Sequence, residues 1–450
     1  MEGPGGPEPV DAGTAPAVPR MGRPQLVASL ETELEEGCDQ ALAVLRASAA
    51  PDGLVASATL PQYAGVWTRD VAFSALGAHA VDEPALTAAV GHSLVGLAQL
   101  QAESGQIPNA WWPQRGYWDF HEAGCTDATC LFVVAASQHL QAHPDPRLER
   151  RLWPHLRRAM RWLECQDANQ FTLIDSPSGG DWMDSTLQRS GKLLYVNVLY
   201  YRALQGMAAL TPGERDADSA RAKLVRRKID LLFWPEAGTD HAQLLEGAGH
   251  PPNAELSYPH PVGPAARGAA VREDRGHYLS HVDGGRYVDE CDVLGNVLAV
   301  LYGVAGPERA RRIMEFLDHS PAARPYPMRT YTRSFEPGDR WGMYRDDLEA
   351  FQDPRWRNPP GRYHNGGVWP FIGALFVVAL QRVGMVAEAG EAMRGVGAAN
   401  RLSRGPDRRW GFHEWIDAET GEPAGAAGQS WSAGTYLLAA EALRGKPVSL

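Results

Sequence analysis

The chain of 450 residues has no run of the roughly 20 uninterrupted apolar residues that a membrane span requires, so a membrane is not an expected partner. Its N-terminus also lacks the basic and apolar regions of a secretion signal, which makes a cytoplasmic location the expectation. Excess positive charge is missing too. The formal net charge is -11, whereas nucleic-acid binders draw most of their affinity from clustered Lys and Arg, so nucleic acid is not an expected partner either. Cysteine is scarce: there are five, an odd number, and only Cys125 and Cys130 lie close together, without CxxC spacing. They read as reduced thiols in packed positions. There is no HExxH and no His or Cys cluster at metal-ligand spacing, so neither a metal nor any other cofactor is expected. Clear strand signals are few: YLSHVDGGRYVDE and PYPMRTYTRSF could each form a short strand or hairpin, which is too little for a sheet domain.

What is present is apolar residue at helical spacing. Hydrophobic residues make up 44% of the chain, enough for a large core. Residues 1–22 are rich in Pro, Gly and Ala and are expected to be a disordered tail, because they offer too little apolar surface to offset the entropy of ordering. Residues 23–450 are expected to form a single catalytic domain. Twelve helices are predicted, over about 24–48, 70–81, 84–102, 127–142, 147–166, 193–211, 214–234, 289–304, 307–318, 368–384, 386–400 and 431–444. The fold class is all-α.

The links between these helices fall into two alternating kinds. Those after even-numbered helices are short (VDEP, HPDP, TPGE, AGPE and a turn at VGM), and short links force antiparallel neighbours. Those after odd-numbered helices are long and hold most of the Trp, Tyr, Asp, Arg, His and Gly clusters. In an up-down array every long link then emerges at one end, where long aromatic loops are usually functional. Six helical hairpins closing into a ring give a toroid with one pocket. An open solenoid is disfavoured because the segments share no fixed repeat.

Sugars present hydroxyls around an apolar ring face, so a carbohydrate pocket combines Trp and Tyr platforms with Asp, Glu, Arg and Gln. The long links have this mixture, including Tyr63, Trp67, Trp111, Trp112, Trp118, Trp182, Trp341, Trp369, Trp415 and Trp431. About half of these are expected to be packing residues. Hydrolysis of a glycoside needs two carboxyl groups on opposite sides of the scissile bond. Candidates are Asp181 and Asp184 in GGDWMDS and Glu414 in GFHEW. Asp181 reads better as a turn or capping residue. Asp184 beside Trp182 reads better as functional, and Glu414 between Phe412 and Trp415 sits in an apolar setting that would raise its pKa. GHSLVG at 91–96 misses nucleophile-elbow spacing, and GVGAAN at 395–400 lacks the third Gly of a dinucleotide loop.

In chain order, YAGVWTRD, GGDWMDS, YVDECDVLGN, YHNGGVWP, FHEWIDAETGEP and QSWSAG resemble the (α/α)6 six-hairpin glycoside hydrolases of family 63, in particular the bacterial mannosylglycerate and glucosylglycerate hydrolases. Family 100 invertases are similar at a greater distance. The likeness runs over about residues 55–445. It implies an inverting mechanism, with Asp184 as general acid and Glu414 as general base. It places Tyr63, Trp67 and Asp70 at the sugar, with Gln429 holding the sugar or the water and Arg69 as a further subsite residue or a partner of Asp70. Tyr363, His364 and Trp369 match an aromatic loop near the aglycone, and Trp431 follows Gln429. No single Arg aligns with the one that holds glycerate in that group, which leaves the aglycone open. The Pro- and Gly-rich stretch 235–287 reads as a lid or insertion.

The expected partner is a small carbohydrate, and association into a homo-oligomer is left open. Other readings keep the scaffold and change the chemistry: an invertase-like sucrose hydrolase, a general α-glucosidase, a sugar epimerase using His364 and His413, or a sugar-binding protein without catalysis.

Overall fold

The computed structural model describes residues 23–168, 170–185, 187–210, 215–237, 270–283, 286–345, 347, 357–405, 409–448 and 450. The tail 1–22 lies outside them, as does 238–269, most of the segment expected to be a lid. Twelve helices occur among the described residues: α1 (Arg23–Ser48), α2 (Thr68–Val81), α3 (Pro84–Gln99), α4 (Thr126–Ala142), α5 (Pro146–Glu164), α6 (Leu194–Leu210), α7 (Arg215–Phe233), α8 (Val293–Leu301), α9 (Pro307–His319), α10 (Pro370–Arg382), α11 (Val386–Arg401) and α12 (Ser430–Leu443). None is long and apolar enough to cross a membrane.

The even-numbered helices are buried on all sides: Thr68–Ala78 in α2, Val293–Leu301 in α8 and Pro370–Leu380 in α10 show no exposed face. A helix apolar all round belongs inside, and these six form a ring. Helix α2 packs on α4, α4 on α6, α6 on α8, α8 on α10, α10 on α12, and α12 returns to α2. The odd-numbered helices bury one stripe each. In α5 that stripe is Leu152, Leu156, Ala159, Met160 and Leu163, and in α9 it is Ala310, Ile313, Met314 and Leu317. They lie outside the ring, α1 on α12, α3 on α2, α5 on α4, α7 on α6, α9 on α8 and α11 on α10. The result is the closed (α/α)6 toroid expected from the alternating links.

Closing a ring of six helices requires close approach at some seam. At the α2–α12 seam a Cβ added to Gly77 would stand 2.1 Å from the Gly434 carbonyl oxygen, and one added to Gly434 would stand 2.7 Å from the Ser74 Cα. Both obstacles are backbone, which cannot step aside as a flexible side chain would. Gly77→Ala should therefore destabilise the fold by about 1–3 kcal/mol, despite the better helix propensity of Ala. Urea unfolding would measure this, and a gain in stability would contradict close approach at this seam.

Short antiparallel pairings decorate one end of the ring. Strands β1 (Ala49–Ala50) and β2 (Gly53–Leu54) pair with each other, while β3 (Val66–Trp67), β4 (Ala110–Trp112) and β5 (Tyr117–Asp119) form a sheet in that order. Strands β6 (Lys192–Leu193), β7 (His281–Asp283) and β8 (Arg286–Val288) form another, and β9 (Trp415–Ile416) pairs with β10 (Pro423–Ala424). The hairpin expected in YLSHVDGGRYVDE is thus present, with His281 opposite Val288. PYPMRTYTRSF makes only isolated bridges, Tyr331 to Asp292 and Arg329 to Val368. Tyr278, Leu279 and Val282 are buried, so this end of the 235–287 stretch is part of the barrel's loop layer. Helix α8 starts at Val293, later than periodicity predicts, because the Asp292 carboxylate caps it by accepting from the Gly295 N–H at 3.1 Å.

Candidate active site

Every long link enters the N-terminus of an inner helix, and there each helix carries a polar or aromatic side chain. Asp70 and Asp127 occupy the first turns of α2 and α4, Asp292 caps α8, and Trp369 and Gln429 precede α10 and α12. Helix N-termini carry partial positive charge and unpaired N–H groups, which suit carboxylates. This end of the ring therefore tolerates acidic residues at a depth where they would otherwise be costly.

A cavity of about 320 Å³ opens there. Asp184, Glu414, Tyr63, Trp67, Arg69, Asp70, Tyr363, His364, Trp369, Gln429 and Trp431 all line it, so the residues singled out from the sequence meet in one place. Asp184 precedes α6 and Glu414 precedes α12, and these helices are three steps apart in a ring of six. The two carboxyl groups thus line one cavity although their links enter helices three steps apart in the ring.

Glu414 is 4% exposed and follows Phe412, whose φ of 41° is in the left-handed region. Its Oε2 accepts from the Ala426 N–H at 3.1 Å, and the Tyr63 hydroxyl donates to Oε2 at 3.1 Å. Gly425, at φ 65°, permits this turn: a Cβ there would sit 2.2 Å from Oε2. Burial pushes the Glu414 carboxyl up to about 7, against the pull of these two hydrogen bonds, and the charge of Asp184 adds to the rise. Burial likewise raises Asp184, opposed by Arg69 and His121. Asp70 is driven up by burial and by the charge of Glu414; its Oδ1 accepts from Gln429 Nε2 at 2.7 Å.

Since the Tyr63 hydroxyl bonds the charged form of Glu414, Tyr63→Phe should raise the Glu414 pKa further. A rate that needs Glu414 ionised would then see its acid limb move to higher pH by about half a unit to one unit. A pH–rate profile reads this directly.

Burial of this carboxyl also has a stability signature. Its folded pKa of about 7 lies above the ordinary 4.5, so the contribution of the protonated form is fully present below pH 4.5 and is lost as pH rises through about 7. Glu414→Gln should therefore be the more stable protein at pH 8, by on the order of 2 kcal/mol, and close to the wild type at pH 4.5. Thermal unfolding at the two pH values checks it.

The walls are aromatic. Tyr63 stacks on Trp67 with ring centres 6.1 Å apart, and across the cavity Tyr363, His364 and Trp369 form a continuous stack at 4.0 and 5.5 Å. Tyr363 holds a φ of 42°, a strained value of the kind found at functional sites. Trp431 is sandwiched deeper, against Phe371 at 4.6 Å. Nε1 of Trp67, Trp182 and Trp431 and Oε1 of Gln429 are buried without a hydrogen-bond partner among the described residues. Sugar hydroxyls could satisfy groups of this kind.

Asp181 does not line the cavity. Its carboxylate accepts from Arg189 Nε at 2.6 Å and from the Met183 N–H at 2.8 Å, as suits the turn role favoured by the sequence. Arg69 makes no hydrogen bond to Asp70: it grips Asp127 through Nε at 2.8 Å and Nη2 at 3.0 Å, and reaches Asn109 and Asp184 through Nη1 at 2.9 and 3.4 Å. Asn109, Asp119, His121 and Ser185 also line the cavity and were not singled out beforehand. Their place in the long Trp-rich link between α3 and α4 was the only signal for the first two. His413, one of the two imidazoles an epimerase would need, is not a lining residue.

Residues 265–432 match the family model described as the mannosylglycerate hydrolase MGH1-like glycoside hydrolase domain. A curated relative, the probable alkaline/neutral invertase F of Arabidopsis thaliana, is 27% identical over 169 residues, a match covering 36% of this chain and 31% of that protein. The chain thus matches about a third of the length of this relative. Among solved structures, the GH63 mannosylglycerate hydrolase of Thermus thermophilus in complex with glucose aligns with a TM-score of 0.61 and 17% identity, over 89% of this chain and 98% of that one. A glycosidase in complex with glucose aligns with a TM-score of 0.57 and 14% identity, over 95% and 100% of the two chains. Residues 265–432 thus resemble a glycoside hydrolase domain of the mannosylglycerate hydrolase MGH1-like type, and the toroid is shared in fold with GH63 enzymes.

Proposed function

We propose that the protein is an inverting glycoside hydrolase acting on a small α-glycoside, of the mannosylglycerate or glucosylglycerate kind, in the cytoplasm. The observation that carries this reading is a pair of carboxyl groups, buried Glu414 and partly buried Asp184, lining one aromatic-walled cavity from links that enter helices three steps apart in the ring. A cavity of about 320 Å³ is at the small end of ligand sites and suits a glycoside of one or two rings better than a polymer.

In this mechanism the sugar ring lies on Trp67, with hydroxyls bonded to Asp70 and Gln429. Asp184 gives its proton to the departing glycosidic oxygen. Glu414 takes a proton from water, which attacks the anomeric carbon from the other face, so the C–O bond breaks as the new one forms. Water must fit between base and sugar, which sets the two carboxyl groups roughly 6.5–9.5 Å apart, against about 5 Å for a retaining pair. The unshared Nε1 and Oε1 atoms around the cavity support a polyhydroxylated ligand. Free thiols suit a reducing compartment: all five cysteines are unpaired, with Cys125, Cys130 and Cys291 buried, Cys38 partly buried and Cys165 exposed rather than packed.

The test is hydrolysis of mannosylglycerate, glucosylglycerate, sucrose, trehalose and maltose followed by NMR at the anomeric proton. Release of β-sugar from an α-glycoside is expected. Release of α-sugar, or binding without any turnover, would overturn the proposal. Sucrose is included because of the invertase likeness, and its preferential cleavage would favour that second reading.

A further inference from the structure

We infer that Asp127 is a positioning residue for the reaction: it neutralises Arg69, so that this guanidinium can hold the Asp184 carboxyl in place without stripping its proton. The inference rests on the proposed role of Asp184 as general acid.

An arginine touching a general acid is a chemical conflict, because a guanidinium favours the ionised form of any carboxyl beside it, while the acid must reach the transition state protonated. The geometry resolves it. Arg69 directs two hydrogen bonds to Asp127, at 2.8 and 3.0 Å, a third to the Asn109 amide oxygen at 2.9 Å, and offers Asp184 only a long one at 3.4 Å. Asp127 is fully buried and anchored independently. It sits in the first turn of α4, its Oδ1 accepts from the Ala128 N–H at 2.8 Å, and its Oδ2 accepts from the Tyr195 hydroxyl of α6 at 3.2 Å. Asp127 is therefore held against Arg69 without help from the substrate. Other titratable groups face this cluster from neighbouring elements: His121 and Cys125 before α4, Asp181 before α6, and Glu414, Tyr63 and Tyr363 across the cavity. Among the described residues, Asp127 alone makes a two-bonded ion pair with Arg69.

Asp127→Asn keeps the shape but leaves Arg69 with Asp184 as its nearest carboxylate. The basic limb of the pH–rate profile should then move down by at least about one unit, and kcat/KM above that limb should fall about tenfold on the alkyl glycoside that the screen identifies. On the matched α-glucosyl or α-mannosyl fluoride, whose leaving group needs no proton, the same variant should stay within about twofold of the wild type. Arg69→Gln should move the limb up, and the double variant should return it towards the wild-type position. Should either single variant fail to fold, the other single and the double give the same test of sign. Equal loss on glycoside and fluoride, or a limb that does not move, overturns the inference. Asp184→Asn is the control: if it lacks the glycoside-against-fluoride contrast, Asp184 is not the acid and the proposed function fails; if it shows the contrast while Asp127→Asn does not, the positioning role alone fails.

Discussion

Replacing Asp184 by Asn or Glu414 by Gln should lower kcat/KM on the natural glycoside by roughly 10²–10⁴ each while leaving the fold intact. The amides match the carboxyls in size, so packing around Trp182 and Ala426 is undisturbed, yet neither can exchange a proton at working pH. The two losses should differ in character. Asp184→Asn should recover most of its turnover on a glycosyl fluoride, since departure of fluoride needs no acid. Glu414→Gln should not recover, because water must still lose a proton. In the wild type, kcat/KM should rise with pH on an acid limb near the Glu414 value of about 7, because burial holds that carboxyl protonated below it. That limb should be absent from whatever activity Glu414→Gln retains. Full activity in either variant would remove the assignment of that residue.

The largest expected loss of stability is at a residue that takes no part in the chemistry. Arg189 is about 1% exposed and bonds the carboxylates of Asp181 at 2.6 Å and Asp292 at 2.7 Å, together with the Tyr331 hydroxyl at 2.9 Å. It thereby ties the loop entering α6 to the cap of α8 and to the segment leading to α10. Arg189→Met would fit the volume but leave buried carboxylates without their cation, at a cost of about 3–5 kcal/mol. Asp181 stands at about 6, raised by burial although Arg189 opposes it. Without Arg189 it rises further, so the protonated form is the one the variant can bury. The deficit should then be smaller at pH 5 and grow as pH rises towards 8, which urea titrations at both values would show. A loss below about 1 kcal/mol at pH 8 would mean the network contributes little beyond its own desolvation.

How much of this was legible beforehand differs by level. Helix count and order follow from periodicity, and the alternation of short and long links is enough to put the chemistry at one end. Asp181 and Asp184 stand three residues apart in the same motif, yet Asp184 lines the cavity while Asp181 is engaged by Arg189. The partner of Arg69 was not legible: adjacency in the chain points to Asp70, whereas successive side chains on a helix diverge, and the guanidinium instead meets Asp127 from the next inner helix. His121 escaped notice for a similar reason. Its φ of 61° and its place on the cavity wall arise from the fold of the link between β5 and α4.

By itself, then, the amino-acid order determined what is local or periodic: the twelve helices found among the described residues, and which links had room for aromatic and acidic residues. Which carboxyl faces the cavity, which is tied up in an ion pair, and how far each is driven from its ordinary pKa were decided only when the ring closed. The reason is that desolvation and charge pairing depend on distances across the barrel, and those distances do not exist until residues such as 69, 127, 184 and 414, far apart in the chain, share one dry space.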